Sequence, residues 1–144
     1  MSPPPTPLSI YHFTHIDHLG AIIQHGLRPD IDPLRQAHLA HEAGEPSIKE
    51  RRRHAPVTCT PGTVVANYVP FYFATRSPML YSIHKGNVPT FTGDPHDLVY
   101  LVTTAEHLLE RGHTFVMSDR NAAKRVAEFR THDDDWAADG FIDW

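Results

Sequence analysis

The spacing of hydrophobic and polar positions changes period several times along the chain, and each change marks an expected element. From Leu8 to Phe13 apolar and polar residues alternate, the period of a strand with one buried face. Ile16, Leu19, Ile22 and Ile23 then fall at helical spacing, which predicts a helix over 15–26, with Thr14 or Asp17 as its cap and Gly26 in "HGL" as its stop. Between Pro29 and Ala66 the period is weak and prolines recur, so this segment is expected to be irregular, and functional or disordered. "VPFYFA" at Val69–Ala74 is dense in aromatics and predicts a buried strand. "SPMLYSIHKGN" reads as a short helix with Ser77 as cap and Pro78 at its first position. "DLVYLVTT" at Asp97–Thr104 predicts a second strand, and Thr104 then caps a helix that Gly112 stops. "HTFVMSD" follows as a third strand, and "RNAAKRVAEFR" as a further short helix.

Composition narrows the picture. The sequence has 144 residues, 40% hydrophobic and 21% charged, which suits one domain over 8–144 behind a flexible proline-rich arm over 1–7. Net charge is −4 with neutral histidines, so any contact with nucleic acid has to be local. No apolar run approaches the roughly 20 residues of a membrane span, and "MSPPPTPLS" lacks the basic start and apolar core of a secretory signal. No membrane contact and a cytoplasmic address are therefore expected. The lone Cys59 fits that address and has no visible partner for nucleophilic chemistry.

Twelve histidines raise the question of a metal. His12, His15 and His18 stand three apart, yet with His12 on a strand they share no helical face, and no cysteine or carboxylate stands at a companion zinc spacing. No metal is expected. A histidine inside the first strand still needs a role.

A first strand carrying His12-x-Thr14, a helix ending in "GL" and a later aromatic strand followed by Ser77 and Tyr81 resemble the ADP-ribosyltransferase fold. The ordered blocks "SIYHFTHIDHLGAIIQHGL", "IKERR", "NYVPFYFATRSPMLY", "DLVYLVTT" and "FVMSDRNAA" are similar, more narrowly, to the DarT-type DNA ADP-ribosyltransferase toxins. The resemblance covers most of 8–144. It implies an α+β fold, a split, mostly antiparallel sheet with flanking helices, and transfer of ADP-ribose from NAD to a base, typically thymidine, in single-stranded DNA. It also implies a macrodomain antitoxin as partner.

Carried over residue by residue, the resemblance makes His12 the contact to the adenosine-side ribose and Tyr81 the ring that stacks on nicotinamide. Thr14 either caps the helix or touches NAD, Tyr72 faces the cleft, and Ser77 is a helix cap or a support for the nicotinamide amide. Arg51 matches the family arginine that assists catalysis and contacts phosphate, with Arg52 next to it as the substitute. Arg76 is assigned to phosphate or DNA. The family glutamate lies on a strand after the "FIDW" region, whereas this sequence ends at Trp144. The fold is thus expected to be C-terminally truncated and transfer by the chain weak or absent. Glu128 in "AEFR" comes too early and in an expected helical setting, so it is not taken as the substitute. The alternatives are a catalytically dead NAD- or nucleic-acid-binding module and an RNA 2′-phosphotransferase of the same fold.

Overall fold

The computed structural model describes residues 3–39, 46–75, 85–86, 94–134, 140–142 and 144. The alternating segment forms β1 (Ser9–His15), which pairs antiparallel with β2 (Leu98–Thr104) in a register that sets His12 opposite Leu101 and Thr14 opposite Val99. A second antiparallel pair joins β3 (Val116–Ser118) to β4 (Phe129–Thr131). With helices α1 (Leu19–His25), α2 (Pro33–Ala37), α3 (Pro46–His54) and α4 (Ala105–Glu110) around them, these pairs form the split antiparallel α+β arrangement that the sequence predicts.

Strand alternation gives β1 two different faces. Leu8, just before the strand, and Ile10 enter a core with Ala105, Met117 and Ile142, and Phe71, Leu108, Phe115, Phe141 and Trp144 pack around it. His12 and Thr14 continue that same face, so one side of a single strand passes from core to polar site. Tyr11 and Phe13 face the other way, against Tyr100 and Tyr72. The chain enters β1 tied to α4, because Leu8 N–H donates to both carboxylate oxygens of Glu106 at 3.2 and 3.0 Å.

Stops and caps agree with the sequence where the signal is local. Gly26 ends α1 at a φ of +79°, and its N–H donates to the Ile22 carbonyl at 2.7 Å. Thr104 Oγ1 accepts from His107 N–H at 3.1 Å and starts α4, and Gly112 closes it at a φ of +76°.

Four expectations need correction. The helix after β1 is capped by neither Thr14 nor Asp17. His15 Nδ1 accepts from Asp17 N–H at 3.0 Å and opens a short 3-10 turn, Ile16–His18, ahead of α1. The stretch 29–66 is not irregular throughout. Asp32 accepts from Leu34 N–H at 2.8 Å with Pro33 at the first helical position, which starts α2, and α3 packs on the 3-10 turn Val65–Asn67. Its sequence, PSIKERRRH, has almost no apolar positions and therefore no visible period.

The aromatic segment 69–74 makes a single bridge, Tyr11 to Tyr72, rather than a strand, and Phe73 is 38% exposed. Pro70 has no N–H to give a ladder, and its carbonyl is taken by the His12 ring. Residues 120–130 are turns followed by β4. Asn121 Oδ1 accepts from Ala123 N–H at 3.0 Å, and Asp119 Oδ1 from Glu128 N–H at 2.8 Å, so side chains take backbone donors that a helix would need. Glu128 accordingly stands exposed at the start of a strand, not in a helix.

Candidate active site

His12 is the fourth residue of β1, and its Nδ1 lies 2.7 Å from the Pro70 carbonyl. A carbonyl only accepts, so Nδ1 carries the proton and the neutral ring keeps Nε2 as an acceptor. Burial pushes the imidazole below its ordinary value. The Pro70 bond and Asp30 oppose that push, and Arg35 adds to it. The ring packs on Phe71 with centroids 5.6 Å apart. Two residues on, buried Thr14 places Oγ1 3.0 Å from Nδ1 of buried His18.

One cavity is lined by this face, and a second is lined by Pro70 and Phe71, which His12 touches. The first, a small one of about 50 Å³, is lined by His12, Thr14, His18 and, from α1, α2 and the turn between them, His25, Arg28, Arg35 and His38. His25 and His38 stack with centroids 4.9 Å apart. The larger cavity, about 330 Å³, takes Asp30, Arg52, Pro70 to Phe73 and the loop from Ser118 to Ala122.

The arginine run is sorted by helix rotation. Arg51 is exposed, and Arg53 is exposed beside Glu50 at 3.5 Å. Arg52, 8% exposed, turns into the large cavity, where no hydrogen bond or ion pair joins it to another described residue. Of the two arginines named from the sequence, the structure brings Arg52 to the cavity wall and leaves the preferred Arg51 at the surface.

Tyr72 lines the large cavity with one ring face stacked on Phe13, centroids 6.0 Å apart and planes 24° off parallel. Arg76, Ser77 and Tyr81 lie outside the described residues. Two carboxylates line the large cavity, among the described residues, and both are engaged. Asp30 Oδ1 lies 3.4 Å from Arg35 Nη2 and 3.7 Å from Lys49 Nζ. Asp119 Oδ2 accepts from Arg120 Nε at 2.8 Å and Nη2 at 2.6 Å, and the Arg120 hydrogen bond holds its carboxyl below the usual range.

Sequence reasoning missed Arg35, His18, His25 and His38 in the small cavity and Asp119 to Asn121 in the large one. "DIDP" is a helix-start signal that could have revealed α2, and with it Arg35. Nothing in the sequence sets the loop after β3 beside α3. Among the described residues no cluster of three or more His, Cys, Asp or Glu could hold a metal, and no helix is long and apolar enough to cross a membrane.

This arrangement can hold an anionic ligand that also carries a sugar. It offers an imidazole acceptor, a buried guanidinium with no carboxylate partner among the described residues and an aromatic wall. Comparisons with known proteins identify the family. A DNA ADP-ribosyl transferase of Thermus sp. (strain 2.9) is 39% identical over 127 residues, covering 87% of this chain and 58% of that protein. A DNA ADP-ribosyl transferase of Mycobacterium tuberculosis is 36% identical over 124 residues, covering 83% and 52%. The chain thus spans little more than half the length of these curated relatives. The solved structure of Thermus sp. 2.9 DarT in complex with ADP-ribosylated ssDNA superposes with a TM-score of 0.79 at 37% identity, covering 89% of this chain and 60% of that one. The same protein in complex with NAD+ gives 0.69 at 36% identity, covering 88% and 59%. The family model described as "ssDNA thymidine ADP-ribosyltransferase, DarT" matches residues 11–144, and the chain belongs to the DarT family.

Proposed function

We propose that the chain binds NAD across the two cavities and serves ADP-ribose transfer to a base, thymidine by the family description, of single-stranded DNA. The observation that carries this reading is the tautomer of His12: with Nδ1–H donated to the carbonyl of Pro70, which itself lines the Arg52 cavity, Nε2 is the ring atom that accepts from a ribose hydroxyl. Departure of nicotinamide builds positive charge on the ribose and leaves negative charge on phosphate and on the attacked base. Arg52 is the group suited to the negative charge, because its side chain is buried at the cavity wall with no ion pair to another described residue, and it takes the role for which Arg51 was named. Tyr72 supplies an aromatic wall. Thr14 holds His18, and through it the strand end beneath the ribose. Tyr81, Ser77 and Arg76 keep the roles that the resemblance implies, the stacking ring, the amide support and a DNA contact.

Single strands are the preferred acceptor, since a base edge has to be reached and pairing hides it. Contact with phosphates is local, through residues such as Arg52 and Arg120 at the large cavity, in a chain of net charge −4. A DNA substrate puts the protein in the cytoplasm. The partner in this reading is a macrodomain antitoxin that removes the modification.

Asp30 and Asp119 are both held in ion pairs with cations, so transfer by the 144-residue chain is expected to be on the order of 10²–10⁴-fold slower than by the Thermus relative. The test is incubation of a thymidine-containing oligonucleotide with NAD, read by the mass of an added ADP-ribose, alongside calorimetric titration with NAD. NAD binding with slow transfer supports the reading. A folded chain that takes up no heat with millimolar NAD removes it.

A further inference from the structure

Two links cross the wall between the cavities. His12, in the small cavity, donates to the carbonyl of Pro70, which lines the large one. Arg35, also in the small cavity, reaches with Nη2 to Oδ1 of Asp30, which lines the large one. The second link is incomplete. Nη1 of Arg35 is buried from solvent and has no hydrogen-bond partner among the described residues. Buried polar nitrogens are nearly always satisfied, and one that the protein leaves open is costly unless a ligand completes it.

The surroundings say what would complete it. Nη1 is a donor only, so it needs an acceptor oxygen. Asp30 does not fill that place, because its Oδ1 is engaged by Nη2 and lies 3.7 Å from Lys49 as well. Asp30 instead holds the guanidinium plane, with its side chain 14% exposed. His12 is close enough for the Arg35 charge to act on its ring. A ligand lying in both cavities has to pass the wall where His12 and Arg35 stand together.

We propose that Arg35 positions the pyrophosphate of NAD: Nη1 donates to a phosphate oxygen as the dinucleotide crosses from the histidine-lined cavity to the aromatic one, while Asp30 fixes the other side of the fork. The inference rests on the NAD reading above. A guanidinium suits the task, since its planar fork holds a carboxylate with one nitrogen and a phosphate with the other, which a lysine ammonium cannot do in fixed geometry.

The experiment compares ADP-ribose with adenosine, which lacks the phosphates, on the full 144-residue chain, with ligand-observed NMR for the weaker ligand. Arg35→Gln is expected to weaken ADP-ribose by about tenfold or more and to leave adenosine within about twofold. Arg35→Lys keeps the charge and loses the fork, and is expected to fall between the two. It also serves as the reading variant if Arg35→Gln does not fold. Equal losses for both ligands, or none for either, in a folded variant would overturn the assignment while the NAD reading stands. If the unaltered chain binds neither ligand, the NAD reading fails and takes this inference with it.

Discussion

The two cavities are built in different ways. The small one is lined entirely by residues between His12 and Leu39, a single run of chain through β1, α1 and α2. The large one collects residues from Asp30 to Ile142, drawn from α3, the segment around Tyr72, β3 and the loop beyond it. A cavity made by one run of chain has a shape set by short-range signals: the alternation in β1, the Gly26 stop, the Asp32 cap. A cavity made by distant segments depends on how those segments dock. The first suits recognition of one constant ligand part. The second suits chemistry, because it can bring a buried arginine, aromatic walls and a loop to one point.

The largest test of this contrast is the arginine run. Arg52→Ala is expected to lower DNA modification on the order of 10²–10³-fold, whereas Arg51→Ala stays within about twofold, both read by product mass on a thymidine-containing single strand. Equal losses would mean that helix rotation does not assign the role. On the other side, His12→Gln is expected to weaken NAD by about tenfold in calorimetry and to leave single-stranded DNA binding unchanged. A parallel loss of DNA binding would show that His12 serves more than NAD.

A smaller effect separates the walls. Asp32→Ala removes the cap of α2 and its 3.4 Å pair with Arg28, and is expected to cost about 1 kcal/mol in urea unfolding. NAD affinity should fall with it while the surroundings of Arg52 remain, and a loss confined to DNA binding would contradict the division.

The smallest is a pH effect on stability. Burial holds His12 below its ordinary value of 6.5, so the unfolded chain takes up the proton first. Its contribution to stability is whole above 6.5 and is lost progressively as pH falls from there toward the depressed folded value. Melting temperatures at pH 7.5 and pH 5 should therefore converge more in His12→Gln than in the unaltered chain, and an unchanged gap would mean that the ring is not held neutral.

Much of the fold could be read from local patterns. β1, β2, the α1 stop and the Thr104 cap each follow from a few adjacent residues whose preferences no distant contact opposes. Elements whose sequence lacks a period were lost. α3 has charged residues all round, and it is fixed by packing on the turn Val65–Asn67. The segment 69–74 has strand composition, but Pro70 breaks the ladder and its carbonyl serves His12. Residues 120–130 have helical composition, but Asp119 and Asn121 take the backbone donors and leave a loop that ends in β4.

The sequence by itself determined that a histidine and a threonine two apart on a strand share one face, since strand alternation allows nothing else, and its ordered blocks determined the family. Only the tertiary structure decided which arginine reaches the cavity. Successive residues on a helix point about 100° apart, so three adjacent arginines are equivalent until α3 docks, and docking turned Arg52 inward, with Arg51 and Arg53 left in water. The same holds for Arg35, whose open nitrogen exists because Asp30, five residues earlier in the chain and across the wall in space, holds only one side of its fork.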